Sequence, residues 1–272
     1  MNLDWKRLLI GKWSWKRPLR SLFSIYLILA IIAVFFADRL IFQPPPPSYH
    51  PDAPGLIHFA TEAGETIAAV DMPAEPGMPT LLYSHGNAED LGQATGLYRV
   101  FHDEGLGVLA YDYPGYGQST GKPTEASCDR AIQAAWDHLV HEGVPARSIV
   151  IVSRSVGGGP GTWLASRVKP AGLVLISPFT SAFAVAIPFP LFPRDRFPNL
   201  KLIRQMHTPL LVIHGENDKV IPVSHGRKLV AASPSSDKTF IPIPNAGHND
   251  LFDVAGDRII QQITDFARRV CP

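Results

Sequence analysis

Cysteine is almost missing from this sequence: Cys128 and Cys271 are the only two in 272 residues. Thiols so far apart give neither a metal-ligand spacing nor a disulfide framework, and both are expected to stay unpaired rather than form a bridge. A charge imbalance is missing too. The formal net charge is +1, so nothing global points to a nucleic-acid partner, which would show a basic patch or stripe. There is no internal repeat, no Gly-x-x-x-x-Gly-Lys phosphate loop and no His-Glu-x-x-His zinc motif, so no cofactor or metal is called for. What is present is apolar material. Hydrophobic residues make up 46% and charged residues 18%, which suits a globular core carrying an extra apolar segment. The length allows one large domain plus an appendage.

That segment lies near the N-terminus. Ser21 to Ala37 carries no charge. At roughly 1.5 Å rise per residue, it is near the short limit for crossing a hydrocarbon core. Leu19 before it, and Leu40, Ile41 and Phe42 after it, extend the apolar length, and residues 21–42 read as a transmembrane signal anchor. Lys6, Arg7, Lys12, Lys16, Arg17 and Arg20 precede it, whereas after Arg39 the next Lys or Arg is Arg99. This asymmetry predicts a cytoplasmic stretch 1–20, with the rest of the chain on the periplasmic or extracytoplasmic side of the cell membrane. Trp5, Trp13 and Trp15 suit the headgroup level. A cleaved signal peptide needs small residues at −3 and −1; Ala30 and Ala33 are three apart, and Ala37 has Phe35 two residues before it. A buried helix of a soluble fold would be apolar on one stripe, not all round. Of the 26 prolines, Pro44–Pro47 fall just after the apolar run, and residues 43–54 read as a stiff linker between bilayer and domain.

From residue 55 to 272, short apolar runs alternate with helical stretches. Strands are predicted at 55–60, 66–71, 80–84, 107–112, 148–153, 172–177, 209–214 and 238–243. Helices are predicted near 90–105, 124–141, 156–168, 222–232 and 250–268. The alternation argues for a mostly parallel sheet with helices on both faces, its functional loops at the C-terminal strand ends. Residues 179–206 interrupt the pattern with an apolar, proline-rich stretch. It reads as a small lid, with an irregular surface excursion as the plainer alternative.

Acyl transfer by serine needs a hydroxyl beside a base and N–H groups facing the oxyanion. Gly117-Gln-Ser119-Thr-Gly121 matches Gly-x-Ser-x-Gly, but no strand enters it and Lys122-Pro123 follows, so Ser119 reads as a loop residue. Ser153-Arg-Ser155-Val156-Gly157 lacks the first glycine, yet the strand Ile149–Val152 runs into it and a helix-compatible stretch leaves it. Ser153 is small enough for a tight turn, and glycines 157, 158 and 159 permit close packing. Ser155 is therefore the candidate nucleophile, with an ordinary helix N-cap serine as the alternative.

The strand Pro79–Ser84 ends in His85-Gly86-Asn87-Ala88. A turn there supplies one oxyanion N–H, assigned to Asn87 with Ala88 as the fallback, and Val156 supplies the other. His85 reads as a brace of the loop. After the strand Pro209–His214 comes Gly215-Glu216-Asn217-Asp218, where an orienting acid belongs; Asp218 is the choice and Glu216 the alternative. Asn245-Ala-Gly247-His248 follows the last strand and offers His248 as the base, its tautomer held by Asp218.

As a set, His85-Gly-Asn-Ala-Glu-Asp, Tyr111-Asp-Tyr-Pro-Gly-Tyr-Gly-Gln-Ser, Ser153-Arg-Ser-Val-Gly, Ile176-Ser-Pro-Phe-Thr-Ser, Leu211-Val-Ile-His-Gly-Glu-Asn-Asp and Asn245-Ala-Gly-His-Asn-Asp resemble the α/β-hydrolase superfamily. They look closest to its serine aminopeptidase-like branch, which includes membrane-associated α/β-hydrolase domain proteins that act as protein depalmitoylases. The resemblance covers roughly residues 55–268. It implies the α/β-hydrolase fold with an eight-stranded sheet, Ser155, Asp218 and His248 as the triad, and Asn87 and Val156 at the oxyanion hole. Relatives usually have glycine where this chain has Ser153. The depalmitoylases anchor through a lipidated, cysteine-rich N-terminus, and this chain has no cysteine before Cys128. The leading expectation is hydrolysis of a carboxylic ester or thioester, on a lipophilic acyl substrate, through an acyl-Ser155 intermediate. Peptide hydrolysis of the aminopeptidase kind would want an acid such as Glu89, Asp90 or Glu216 to hold a free amine. A non-catalytic binding protein on the same fold is the third reading.

Overall fold

Continuous runs of branched and aromatic residues have little choice but to be strands covered on both faces. The computed structural model describes residues 15–187 and 189–271; Trp5, Lys6, Arg7, Lys12 and Trp13 lie outside them. Eight strands form one sheet: β1 (Leu56–Ala60), β2 (Thr66–Met72), β3 (Thr80–Ser84), β4 (Gly107–Tyr111), β5 (Ile149–Arg154), β6 (Gly172–Ile176), β7 (Leu210–Gly215) and β8 (Lys238–Ile243). Their spatial order is β1-β2-β4-β3-β5-β6-β7-β8. The β1–β2 and β2–β4 pairs are antiparallel and the rest parallel. Pro242 sits in β8, an edge strand, where its missing N–H is tolerated.

The period of two sorts the strand residues between two cores. Leu82, Ile151, Leu173, Leu175 and Val212 face one layer, with α4 (Glu125–His141), α5 (Gly158–Ala165), α7 (Asn199–Ile203) and α8 (Ser224–Ala232) packed on it. Leu81, Tyr83, Val150, Val152, Val174 and Ile213 face the other, covered by α3 (Leu91–Asp103) and α9 (Leu251–Val270). Asp90 caps α3 in a reciprocal box with Gln93, and Thr124 caps α4 likewise with Ser127.

The first helix, α1 (Lys16–Phe35), is long and apolar enough to cross a membrane, and Ala33 is its one buried residue. It starts before the expected 21–42 segment and stops short of its end. Phe36 breaks it at φ −121°, and the short α2 (Ala37–Ile41) turns onto the domain. Ala37 and Phe42 are buried, and Phe42 packs edge-on against Phe197 with centroids 6.1 Å apart. The apolar run therefore ends in the protein core at Phe42, while Leu40 stays exposed. The 43–54 linker is fastened along its first part: Gln43, Ser48 and Tyr49 all hydrogen-bond to the domain.

The 179–206 stretch holds two short helices, α6 (Ala182–Ala186) and α7. Its ends are core, with Phe179, Phe197, Ile203 and Met206 buried. Its tip leans on α1 and α2: Tyr26 of α1 stacks on Phe192 at 6.0 Å, and Arg196 pairs with Asp38 of α2 at 2.9 Å. A cleft of about 590 Å³ lies beneath it, lined by residues that include Thr180, Phe183, Leu200 and His225. Ser155, Asp218 and His248 are not in that lining.

Candidate active site

β5 delivers Ser155 at the C-terminal edge of the sheet. There the chain reverses into a 3-10 turn, Ser155–Gly157, that runs into α5. Ser155 takes φ +52°, a left-handed conformation seldom adopted by a residue with a side chain. The tight turn depends on small neighbours. A Cβ at Gly157 would lie 2.7 Å from the Ser84 carbonyl oxygen. Ser153, standing where glycine was expected, faces Gly161, whose missing Cβ leaves room for the extra hydroxyl. That hydroxyl is buried and has no hydrogen-bond partner among the described residues.

Ser155, His248 and Asp218 fall in one hydrogen-bonded line. Ser155 Oγ is 2.9 Å from His248 Nε2, and His248 Nδ1 is 2.7 Å from Asp218 Oδ2. An ionised carboxylate only accepts, so Nδ1–H donates and Nε2 is left to accept the serine proton. Burial by itself would raise the Asp218 pKa. His214, His248 and the Ile221 N–H outweigh it and hold the carboxyl well below the usual range. Asp218 Oδ1 takes the N–H groups of Val220 and Ile221 at 2.9 and 2.7 Å.

The loops after β7 and β8 are zipped together, with Glu216 N–H on the Ile243 carbonyl at 3.0 Å and Asn217 N–H on that of Ala246 at 2.9 Å. Gly215 makes this possible, because a Cβ there would sit 2.5 Å from the Ala246 oxygen. Gly247 N–H donates to Asp250 Oδ1 at 2.6 Å and fixes the turn that presents His248.

Val156 is buried at the second position of the 3-10 turn, where an N–H has no partner within the turn. The Asn87 N–H makes no hydrogen bond among the described residues. The alternatives fall elsewhere. Ser119 is buried, donates to the Asp112 carbonyl at 3.0 Å and accepts the Ala68 N–H at 2.9 Å. Glu216 points to solvent beside Arg227, 3.6 Å away. Glu89 is ion-paired with Arg154 and takes the Gly86 N–H, and Asp90 is committed to capping α3. Among the described residues no group of three or more His, Cys, Asp or Glu is placed to hold a metal ion.

Two supporting residues escaped the sequence reading. His214 is fully buried; its Nε2 donates to the Ile221 carbonyl at 2.8 Å and lies 3.4 Å from Asp218 Oδ2. A polar residue ending an apolar strand, four before the acid, was the available signal. Asp112, at the end of β4, is buried with its Oδ1 3.3 Å from His85 Nε2 and accepting the Leu91 N–H at 3.0 Å. Burial would lower the His85 pKa, but Asp112 more than compensates and raises it. His85 Nδ1 donates to the Gly86 carbonyl at 2.7 Å, which braces the loop.

Comparison with known proteins agrees with this architecture. The family described as serine aminopeptidase, S33, matches residues 78–194 and 198–255. Alpha/beta hydrolase domain-containing protein aho-3 of Caenorhabditis elegans is 44% identical over 176 residues, covering 63% of this chain and 53% of that protein. Alpha/beta hydrolase domain-containing protein 17C of Xenopus laevis is 37% identical, covering 74% of this chain and 66% of that one. Its human 17B counterpart is 38% identical, covering 74% of this chain and 71% of that one. The chain thus spans about half the length of the nematode relative and 66% of the frog protein. Among solved structures, an esterase of Pyrococcus furiosus superposes with a TM-score of 0.71 at 17% identity, over 85% of this chain and 100% of that one. A monoacylglycerol lipase of Paleococcus ferrophilus gives 0.60 at 21% identity, over 75% and 99%. These two likenesses concern the fold alone.

Proposed function

The chain belongs to the serine aminopeptidase S33 family of α/β hydrolases, and on that premise we propose that it is a membrane-anchored serine hydrolase cleaving a carboxylic ester or thioester. The observation that carries this reading is the line Ser155 Oγ–His248 Nε2–Asp218, with separations of 2.9 and 2.7 Å. Ser155 Oγ attacks the acyl carbon while its proton passes to His248 Nε2. Asp218 steadies the imidazolium, and the oxygen that becomes negative is met by the Asn87 and Val156 N–H groups. The leaving group takes the proton from His248 and departs. Water then repeats the sequence on the acyl-Ser155 ester.

A lipophilic acyl substrate is supported by Phe189 and Leu191, exposed at the tip of the excursion that leans on α1. The peptidase alternative has less support, because Glu89, Asp90 and Glu216 are each engaged or turned outward.

A fluorophosphonate probe is expected to label the protein, to lose its target in Ser155→Ala, and to keep it in Ser119→Ala. Labelling that survives the first change and vanishes with the second would overturn the assignment. A series of p-nitrophenyl esters of increasing chain length, run beside aminoacyl anilides, distinguishes esterase from peptidase. We assign α1 as the anchor, with the basic flank cytoplasmic and the catalytic domain on the periplasmic or extracytoplasmic side. A reporter fused at the C-terminus is expected to read out there, and a cytoplasmic signal refutes the orientation.

A further inference from the structure

The segment that reads as a spacer is sewn to the loop that carries a proposed oxyanion donor. The Asn87 carboxamide is engaged through both its nitrogen and its oxygen. Its Nδ2 donates to the Ile41 carbonyl at 2.6 Å, while its Oδ1 accepts the Gln43 N–H at 3.1 Å and the Tyr116 hydroxyl at 2.6 Å. The Gln43 N–H is shared with the Tyr116 oxygen, also at 3.1 Å. Two further stitches follow along the arm. Ser48 gives its N–H to Asp90 Oδ2 at 2.6 Å and its hydroxyl to the other oxygen. Tyr49 gives its hydroxyl to Asp112, the carboxylate that faces His85. Burial, then Asp112, push the Tyr49 phenol above its usual range, so it acts as a donor.

Residues 85–91 are thus held from two sides. The domain grips Gly86 through Glu89 and Arg154, and the arm grips Asn87, Asp90 and Asp112. Ala88, next to Asn87, sits at φ +55°, a conformation that persists only when its surroundings impose it. The side chain of Asn87 is committed to the arm, while its backbone N–H makes no hydrogen bond among the described residues. An N–H donor is effective when held 2.7–3.1 Å from the position the oxyanion will occupy. Whatever fixes the peptide plane at Asn87 therefore decides how well the donor is aimed.

We propose that Asn87 is a positioning residue whose carboxamide couples the juxtamembrane arm, residues 41–49, to the oxyanion site, so that docking of the arm aims the Asn87 N–H. This rests on the serine-hydrolase reading above. Anchoring and turnover are then linked: a chain whose arm is pulled off the domain keeps its nucleophile and base but loses aim at the transition state.

The test uses the full chain in detergent micelles, with p-nitrophenyl butyrate as substrate and a trifluoromethyl ketone as transition-state mimic. Gln43→Pro removes the N–H and, with it, the side-chain carboxamide, and it fixes φ. It suits its site because Phe42 already has the extended backbone (φ −87°, ψ 129°) that a residue before proline requires. Gln43→Ala keeps the N–H. Misplacing a catalytic group by about 1 Å costs on the order of 10²-fold. Asn87→Ala and Gln43→Pro are accordingly each expected to lower kcat about 10- to 100-fold with KM within threefold, and to weaken the ketone in parallel. Gln43→Ala stays within threefold of the parent. The double variant is expected to be no worse than the poorer single one, because both remove the same clamp. Tyr116→Phe, expected to lose less, replaces Gln43→Pro if that variant does not fold. Parental kcat in the clamp variants, or losses that multiply in the double one, overturns the coupling while Ser155-dependent turnover leaves the hydrolase reading intact. Absence of Ser155-dependent turnover in the parent protein overturns that reading instead.

Discussion

Replacing Gly157 by alanine tests whether the nucleophile turn and the oxyanion loop are one rigid unit. A Cβ on Gly157 would stand 2.7 Å from the Ser84 carbonyl oxygen, 2.8 Å from that of His85 and 2.8 Å from Tyr113 Oη. Ordinary contact begins at 3.4 Å, so these atoms or the turn must yield by about 0.7 Å. None yields easily. Ser84 ends β3, paired on both sides, and the Tyr113 hydroxyl donates to the His85 carbonyl at 2.6 Å. Overpacking of this kind costs about 1–3 kcal/mol. Because the shift reaches Ser155 on one side and Asn87 on the other, kcat is expected to fall about 10- to 100-fold. The neighbour provides the control. At Gly158 the nearest atoms to a new Cβ are 3.8 Å away, and its φ of −57° and ψ of −23° are helical. Gly158→Ala is therefore expected to keep activity within threefold and to gain up to about 1 kcal/mol. Both variants are read by ester turnover and thermal denaturation. Parental kcat and melting temperature in Gly157→Ala would refute the reasoning.

Two further substitutions follow from buried polar groups. Ser119→Ala leaves the Ala68 N–H without its acceptor inside the core, so stability is expected to fall about 1–3 kcal/mol; denaturant unfolding measures it, and an unchanged midpoint contradicts the assignment. The Asp129 carboxyl is pushed up from 3.8 to about 8 by burial and then by Glu125, against Arg167 and Arg130. A raised pKa means the protonated form is the one the fold favours. Its contribution is complete below 3.8 and disappears as pH climbs through about 8. At about 1.4 kcal/mol per pH unit, the loss across that window amounts to several kcal/mol. Asp129→Asn is expected to remove much of that slope and to be the more stable protein at pH 8; equal slopes for the two proteins would disprove it.

The central parallel strands were readable because each is a run of apolar residues covered from both sides, as in Ile149–Val152 and Leu173–Ile176. The sites proposed for nucleophile, acid and base were readable from what precedes them: a strand enters each, and each loop carries a glycine where the backbone must pass close. Gly117-Gln-Ser119 shows that the letters alone mislead. Ser119 has the motif but its hydroxyl is spent on the main chain of β2 and Asp112.

The stretch from Leu40 to Tyr49 was the illegible part. Leu40-Ile-Phe has the same composition whether it meets lipid or protein, and only the position of Phe197 decides that Phe42 is core. A proline run likewise reads as a spacer until the partners of Gln43, Ser48 and Tyr49 are seen. His214 and Asp112 were hidden for the same reason. A buried charge network exists through distances between segments far apart in the chain, and local patterning carries no record of them. The order of residues therefore determined the elements, their faces and the loops on which chemistry is proposed. The folded structure alone decided which of those loops touch, because hydrogen bonds and close packing depend on separations of a few tenths of an ångström.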